Sequence, residues 1–238
     1  MSATLTPLRR EHERSLLLER LADADAAAAP TEASRVVAAL TRSAWAQAVL
    51  RAAASASNLS FAHTRVAVLG SGRLAAELAT RTAAMGARVV VVGDDPVALV
   101  ELAQQGLDVA TTESARLGDA VIAFATGELA DPVTPGALGG GGPLLLVDAG
   151  EQEEPPTVIA PTDPASGRPG IARLMTADRE AFLLVAREVA DASTRRTGES
   201  LRARFALALR DATAADPAAP LHELHARADR ALALELLA

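Results

Sequence analysis

Apolar residues recur along this chain with two periods, and the period changes twice. Up to about residue 60 they follow helical spacing. Leu8, Leu16, Leu17 and Leu21 leave a charged opposite face, with Thr6 placed to cap and Pro7 at the first helical position. The run from Asp23 to Pro30 breaks this helix. Thr31 opens a second, on which Val36, Val37, Leu40, Ala44 and Ala48 share a face, and residues 55–60 read as a turn or its frayed end.

From residue 64 short apolar runs alternate with helical stretches. Strands are expected over residues 65–69, 87–92, 107–110, 119–125 and 143–147, with 157–160 as a sixth. Helices are expected over 73–85 and 96–105, ended by Gly86 and Gly106, and a short one over 112–117. Residues 151–175 read as a polar, proline-rich connection. From Thr176 the helical period returns. Phe182, Val185, Ala186 and Val189 mark one helix, Leu201, Phe205, Leu209 and Ala212 a second, and Leu221, Leu224, Ala228 and Ala231 a third. Strands that are apolar throughout belong in a parallel sheet covered on both faces. Right-handed crossovers wind such a sheet in both directions. The expected fold is therefore α/β, a Rossmann-like doubly wound parallel sheet flanked by N- and C-terminal helices. Its segments are residues 1–60 (helices), 61–160 (the sheet domain) and 161–238 (helices).

One motif carries chemistry. Val66-Ala-Val-Leu-Gly70-Ser71-Gly72-Arg73-Leu74-Ala75 is G-x-G-x-x-A between a strand and a helix. Gly70 permits the tight turn, Gly72 lets a pyrophosphate approach the backbone, and Ala75 permits close packing of helix on strand. The helix N-terminus offers free N–H groups and a positive dipole to phosphates. Ser71 and Arg73 are placed beside them. The carboxylate that holds an adenosine ribose belongs at the end of the second strand, about 20 residues on. Counting places Gly93 there, so Asp94, one residue further, is the candidate; Asp95 before Pro96 reads as a helix cap. Asp94 and Asp95 would repel a 2′-phosphate, which favours NAD over NADP. The glycines of 139–142 precede a strand, so they form a loop and not a phosphate cradle.

Composition removes several chemistries. The 238 residues contain no Cys, Lys or Tyr, and all 23 basic residues are Arg. That excludes disulfides, thiolate nucleophiles, Cys-ligated metals, Schiff-base lysines and a Walker-A lysine. Net charge is −7 and aromatics are 2%, so the basic surface and stacking platforms of nucleic-acid binders are missing. No run approaches the roughly 18 apolar residues of a membrane span. The N-terminus lacks the apolar core of a secretory signal, and the expected location is the cytoplasm. His222 and His225 share a helix face but lack a third zinc ligand, and they read as a surface pair.

The stretch from Thr41 to Gly150 resembles the NAD-binding domain of the S-adenosylhomocysteine hydrolase family. The likeness rests on Ser43-x-Trp45 followed by Arg51, the Gly70-x-Gly72 turn, Met85-Gly86-Ala87-Arg88-Val89, and Asp95-Pro96. It continues through Gly106-x-x-Val109, Gly118-Asp119 and Ala125-Thr126-Gly127. D-2-hydroxyacid dehydrogenases and dipicolinate synthase share this type of cofactor domain and match less well. The resemblance implies the fold and an NAD ligand, and it places Thr126, Gly127 and Asp148 at the cofactor pocket. It also implies that the hydrolase activity is missing. That family's catalytic lysine has no counterpart here. Its Asn-Ile-Gly-His corresponds to Asp148-Ala149-Gly150-Glu151, and its ribose glutamate corresponds to Gly93. Its large substrate domain has no room before Gly70.

Two functions stay open, and the residues do not decide whether the chain is an enzyme. One is a nucleotide-binding sensor, scaffold or partner protein. The other is an NAD(P)-dependent oxidoreductase whose substrate pocket uses the terminal helices. A homodimer, or a partner protein held through those helices, is expected.

Overall fold

The computed structural model describes residues 34–114, 117–152, 154–163, 170–176 and 179–238. The helix expected from Thr6 and the Thr31 start of the next lie outside them. The chain forms two compact units. One is Arg42–Thr194; the other joins Arg195–Ala238 to the chain up to Thr41, of which residues 34–41 are described.

The larger unit is built on an eight-stranded sheet in the order β3-β2-β1-β4-β5-β8-β7-β6. Its strands are β1 (Arg65–Leu69), β2 (Arg88–Gly93), β3 (Asp108–Thr111), β4 (Ile122–Ala125), β5 (Leu144–Asp148), β6 (Thr162–Asp163), β7 (Ile171–Leu174) and β8 (Ala181–Val185). From β3 across to β8 the neighbours run parallel. β7 and β6 then continue the sheet antiparallel. This is a Rossmann-like α/β fold.

Every residue of β4 and β5 is buried. Such strands have no solvated face, so their sequences lose the alternation of polar and apolar positions and read as unbroken apolar runs. One face carries Val66, Val68, Val91, Ile122, Phe124 and Val147. It packs under α1 (Arg35–Ser57), α2 (Arg73–Ala84) and α3 (Pro96–Gln104) through residues such as Val49, Leu78 and Leu102. Phe61 lies against Phe124, with ring centroids 6.2 Å apart. The other face presents Ala67, Leu69, Ala123, Ala125 and Leu146. Among the described residues that face is covered by irregular chain, through Leu117, Ala120 and Val133.

Local chemistry sets the helix starts. The Asp95 carboxylate accepts from the amides of Val97 at 2.9 Å and Ala98 at 3.3 Å, with Pro96 opening α3. This satisfies first-turn donors that have no partner inside the helix.

Several expectations are corrected. Residues 171–174 and 181–185 are strands, where the pattern suggested a polar connection and then a helix. Ala181–Val185 pairs residue for residue with β5 and satisfies backbone groups that β5 would otherwise bury unpaired. The helical period of Phe182, Val185, Ala186 and Val189 arises because the strand runs into α4 (Arg187–Ala215). Residues 112–114 form a turn rather than the start of a helix. In the span 157–160 only Val158 pairs, as a single bridge to Val133.

The smaller unit is helical. Val37, Leu201, Phe205, Leu209, Leu224, Ala228 and Leu232 form its core, drawn from α1, α4 and α5 (Leu221–Leu237). Asp229 on α5 accepts from the Ser34 hydroxyl at 2.6 Å and the Arg35 amide at 2.9 Å, capping α1 from a distant part of the chain. His225 is buried, edge-on to Phe205 at 5.7 Å, so the expected surface pair of histidines does not form. Packing against Phe205 turned His225 inward, on a face that helical spacing shares with Leu224 and Ala228. No helix among the described residues is long and apolar enough to cross a membrane.

Candidate functional site

The carboxyl ends of β2, β1, β4 and β5 finish level: Val92, Leu69, Ala125 and Asp148 lie in register. Chain order reverses between β1 and β4, since β1 leads outward to β2 and β3 while β4 leads to β5. Open α/β sheets bind ligands in the crevice at this reversal.

The glycine turn sits there. Gly70 has φ +138°, and a Cβ on it would lie 2.1 Å from Thr126 Oγ1. Both the backbone conformation and the close approach therefore require glycine. Thr126 is buried, and its hydroxyl donates to the Leu69 carbonyl at 2.9 Å, holding the end of β4 against β1. Ser71 is buried with its side chain turned toward β2, where its Oγ lies 3.4 Å from the Asp95 amide. This explains Gly93. A Cβ there would stand 2.6 Å from Ser71 Cβ, so the position where a ribose carboxylate is expected has no room for a side chain. The neighbouring Asp94 is exposed at the rim, and Arg73 is exposed at the first turn of α2.

The residue that sequence reasoning missed is Glu128. Its carboxylate accepts from the Leu74 amide at 2.8 Å through Oε1 and from the Ala75 amide at 2.8 Å through Oε2. Thr126 Oγ1 lies 3.1 Å from Oε2. These amides are first-turn donors of α2, the groups that hold a pyrophosphate in a dinucleotide fold. A Cβ on Gly72 would come within 2.3 Å of Glu128 Oε1, so the space that Gly72 leaves open holds a carboxylate. Two residues on, the Ala130 amide donates to Asp94 Oδ2 at 2.6 Å. The segment is anchored beyond by Val133, whose amide donates to the Thr157 carbonyl at 2.9 Å. The available signal was an acidic residue directly after Thr126-Gly127 at the end of β4.

Beside this segment a cleft of about 780 Å³ opens over the ends of β1 and β2. Leu69, Val92 and Leu129 line it, with Asp94 and Thr112 at its polar edge. Its size falls within the range of small-molecule sites.

Further along the same edge Asp148 is buried and pairs with Arg187 at 3.1 Å. It also accepts from the Gly150 amide at 3.2 Å, while Arg187 donates to the Gln152 carbonyl at 2.9 Å. Asp148 thus fixes the loop after β5 to the start of α4, apart from the glycine turn. Desolvation raises the pKa of Glu151, the Glu128 carboxylate adds to this, and Arg42 opposes it. No group of three or more metal-ligating side chains is found among the described residues.

The residues fit a dinucleotide in kind: a side-chain-free turn, paired amides at a helix head, an exposed carboxylate ending β2, and an adjoining cleft. In this structure Glu128 holds the amides. Turn, crevice and strand order together define a Rossmann-like protein.

No protein-family model matches the sequence, and no curated protein matches it. Solved structures do. Dipicolinate synthase from Bacillus subtilis superposes with a TM-score of 0.54 at 20% identity, over 76% of this chain and 57% of that one. Dipicolinate synthase from Bacillus halodurans gives 0.44 at 22% identity, over 51% and 42%. A transhydrogenase from Sinorhizobium meliloti gives 0.47 at 15% identity, over 76% and 58%. The first supports the fold. This chain spans less than two thirds of the length of each.

Proposed function

We propose that this chain binds a nicotinamide dinucleotide, NAD in preference to NADP, at the carboxyl ends of β1 and β2. It acts as a nucleotide-binding partner, sensor or scaffold without hydrolase chemistry. The observation that carries this reading is the pair of amides of Leu74 and Ala75, which already hold an anion behind a turn that Gly70 and Gly72 keep clear. In this reading Gly70, Ser71, Gly72, Arg73 and Leu74 surround the pyrophosphate and Asp94 takes the adenosine ribose. Thr126 and Gly127 border the crevice, and Asp148 supports its far side. The preference for NAD rests on the exposed Asp94 and Asp131 beside the cleft, which disfavour a 2′-phosphate.

Calorimetric titration with NAD, NADH, NADP and NADPH tests it. NAD should bind more tightly than NADP, and Gly72→Val should abolish binding by filling the cradle. Binding of none at millimolar ligand contradicts the reading.

A second reading, an NAD(P)-dependent oxidoreductase acting on a small molecule, draws on Glu151. Its raised pKa at the crevice edge is the kind of perturbation found where protons are moved. A change in reduced-nicotinamide absorbance with a substrate panel would favour it. Pairing through the terminal helices is supported by Leu221, Leu234 and Leu237 on α5, all exposed.

A further inference from the structure

The segment after β4 satisfies, from within the chain, both groups that would recognise a dinucleotide. Glu128 supplies an anion to the Leu74 and Ala75 amides, each at 2.8 Å. Ala130 supplies a donor to the carboxylate of Asp94 at 2.6 Å. The two contacts sit two residues apart on a strap that is fixed at each end. Thr126 binds Leu69 on one side, and Val133 bridges to Val158 on the other. Gly127, at φ +76°, begins the free span.

The chemistry matches element for element. A carboxylate with its two oxygens on successive amides reproduces the contact of a phosphate with a helix head. An N–H donated to Asp94 reproduces a ribose hydroxyl. Glu128 is held by the Leu74 and Ala75 backbone amides, from which a phosphate group accepts equally well.

We propose that Glu128 is an internal anion that holds the pyrophosphate cradle, and that residues 127–132 form a latch. A dinucleotide enters by exchanging its pyrophosphate for this carboxylate, and the same movement frees Asp94 from Ala130. This rests on the dinucleotide reading above. Affinity is then set by the fraction of molecules in which the strap has withdrawn, so Glu128 determines which ligands the crevice accepts. A ligand without an anion at this position gains nothing by displacing it.

The test uses inorganic pyrophosphate as the first probe, at matched ionic strength. Without ligand, Glu128→Ala should melt about 2–4 °C below the wild type, because a helix cap is lost. Pyrophosphate should then raise the melting temperature of this variant and leave the wild type within about a degree. NAD should bind Glu128→Ala at least about tenfold more tightly than the wild type. Equal stabilisation of both proteins by pyrophosphate, or NAD binding to both with equal affinity, overturns the latch. Should Glu128→Ala fold poorly, amide exchange in the wild type reads the same contact. The Leu74 and Ala75 amides should exchange slowly without ligand, although first-turn amides have no partner inside a helix. Fast exchange at both overturns the proposal. If pyrophosphate acts on Glu128→Ala alone while NAD binds neither protein, the latch stands as an anion site and the dinucleotide reading falls.

Discussion

Two carboxylates stand at the carboxyl edge of one sheet and are held in different ways. Asp148 at the end of β5 is buried and closed by the Arg187 guanidinium at 3.1 Å. Glu128 after β4 is part-buried and held by the main-chain amides at the head of α2. A buried carboxylate paired with a half-buried guanidinium is costly to separate from it. A carboxylate on backbone amides is exchanged for any anion of similar reach. The same edge therefore carries a fixed side, which secures the loop after β5, and an exchangeable side, which faces the cleft.

The largest expected effect lies on the fixed side. Arg187→Leu leaves Asp148 buried without its counter-charge and should cost about 3 kcal/mol in denaturant unfolding. A loss below about 1 kcal/mol would show that Asp148 is as exchangeable as Glu128. Arg179 is a second fixed charge, of opposite sign. Its guanidinium donates to the carbonyls of Gly142 at 2.9 Å, Leu117 at 3.2 Å and Ala120 at 2.9 Å. Burial lowers its pKa. Arg179→Met should cost about 2 kcal/mol, since the carbonyls lose a charged donor, and should loosen the 117–120 and 139–142 segments in hydrogen exchange.

The smallest effect lies between the two sides. The folded protein holds a proton on Glu151 more firmly than the unfolded chain does, because burial and then Glu128 raise its pKa. Stability should therefore fall as pH rises from the ordinary glutamate value through the raised one. Glu151→Gln should remove that fall. The effect is small because the side chain is exposed enough for water to screen it. A pH profile identical in wild type and variant would contradict the assignment.

The part of the fold that the sequence pattern revealed is the part with local causes. β1, β2, β4 and β5 are apolar over most of their length because both their faces are covered, and Asp95-Pro96 marks a helix start through its own side chain. The glycine turn was legible for the same reason, as its constraint falls on the residues that form it. β7 and β8 were not. Short apolar runs beside a helix fit either period, and only the pairing of β8 with β5 and of β7 with β8 decides them. Glu128 was hidden in another way. Its partners are backbone amides 54 and 53 residues away, which leave no mark on residue type. Arg179 was hidden likewise, since every group it holds is a carbonyl. His225 shows the remaining failure: helical spacing gives a face, and the packing of Phe205 decides what that face touches.

The most direct measurement follows the amide resonances of Leu74 and Ala75 while NAD is titrated into Glu128→Ala. Dinucleotide binding at this helix head predicts that these two resonances move with the largest shifts in the sheet unit, to a saturating endpoint that NADP reaches only at higher concentration. Resonances that stay in place while NAD binds elsewhere, or that do not respond at any concentration, would contradict it.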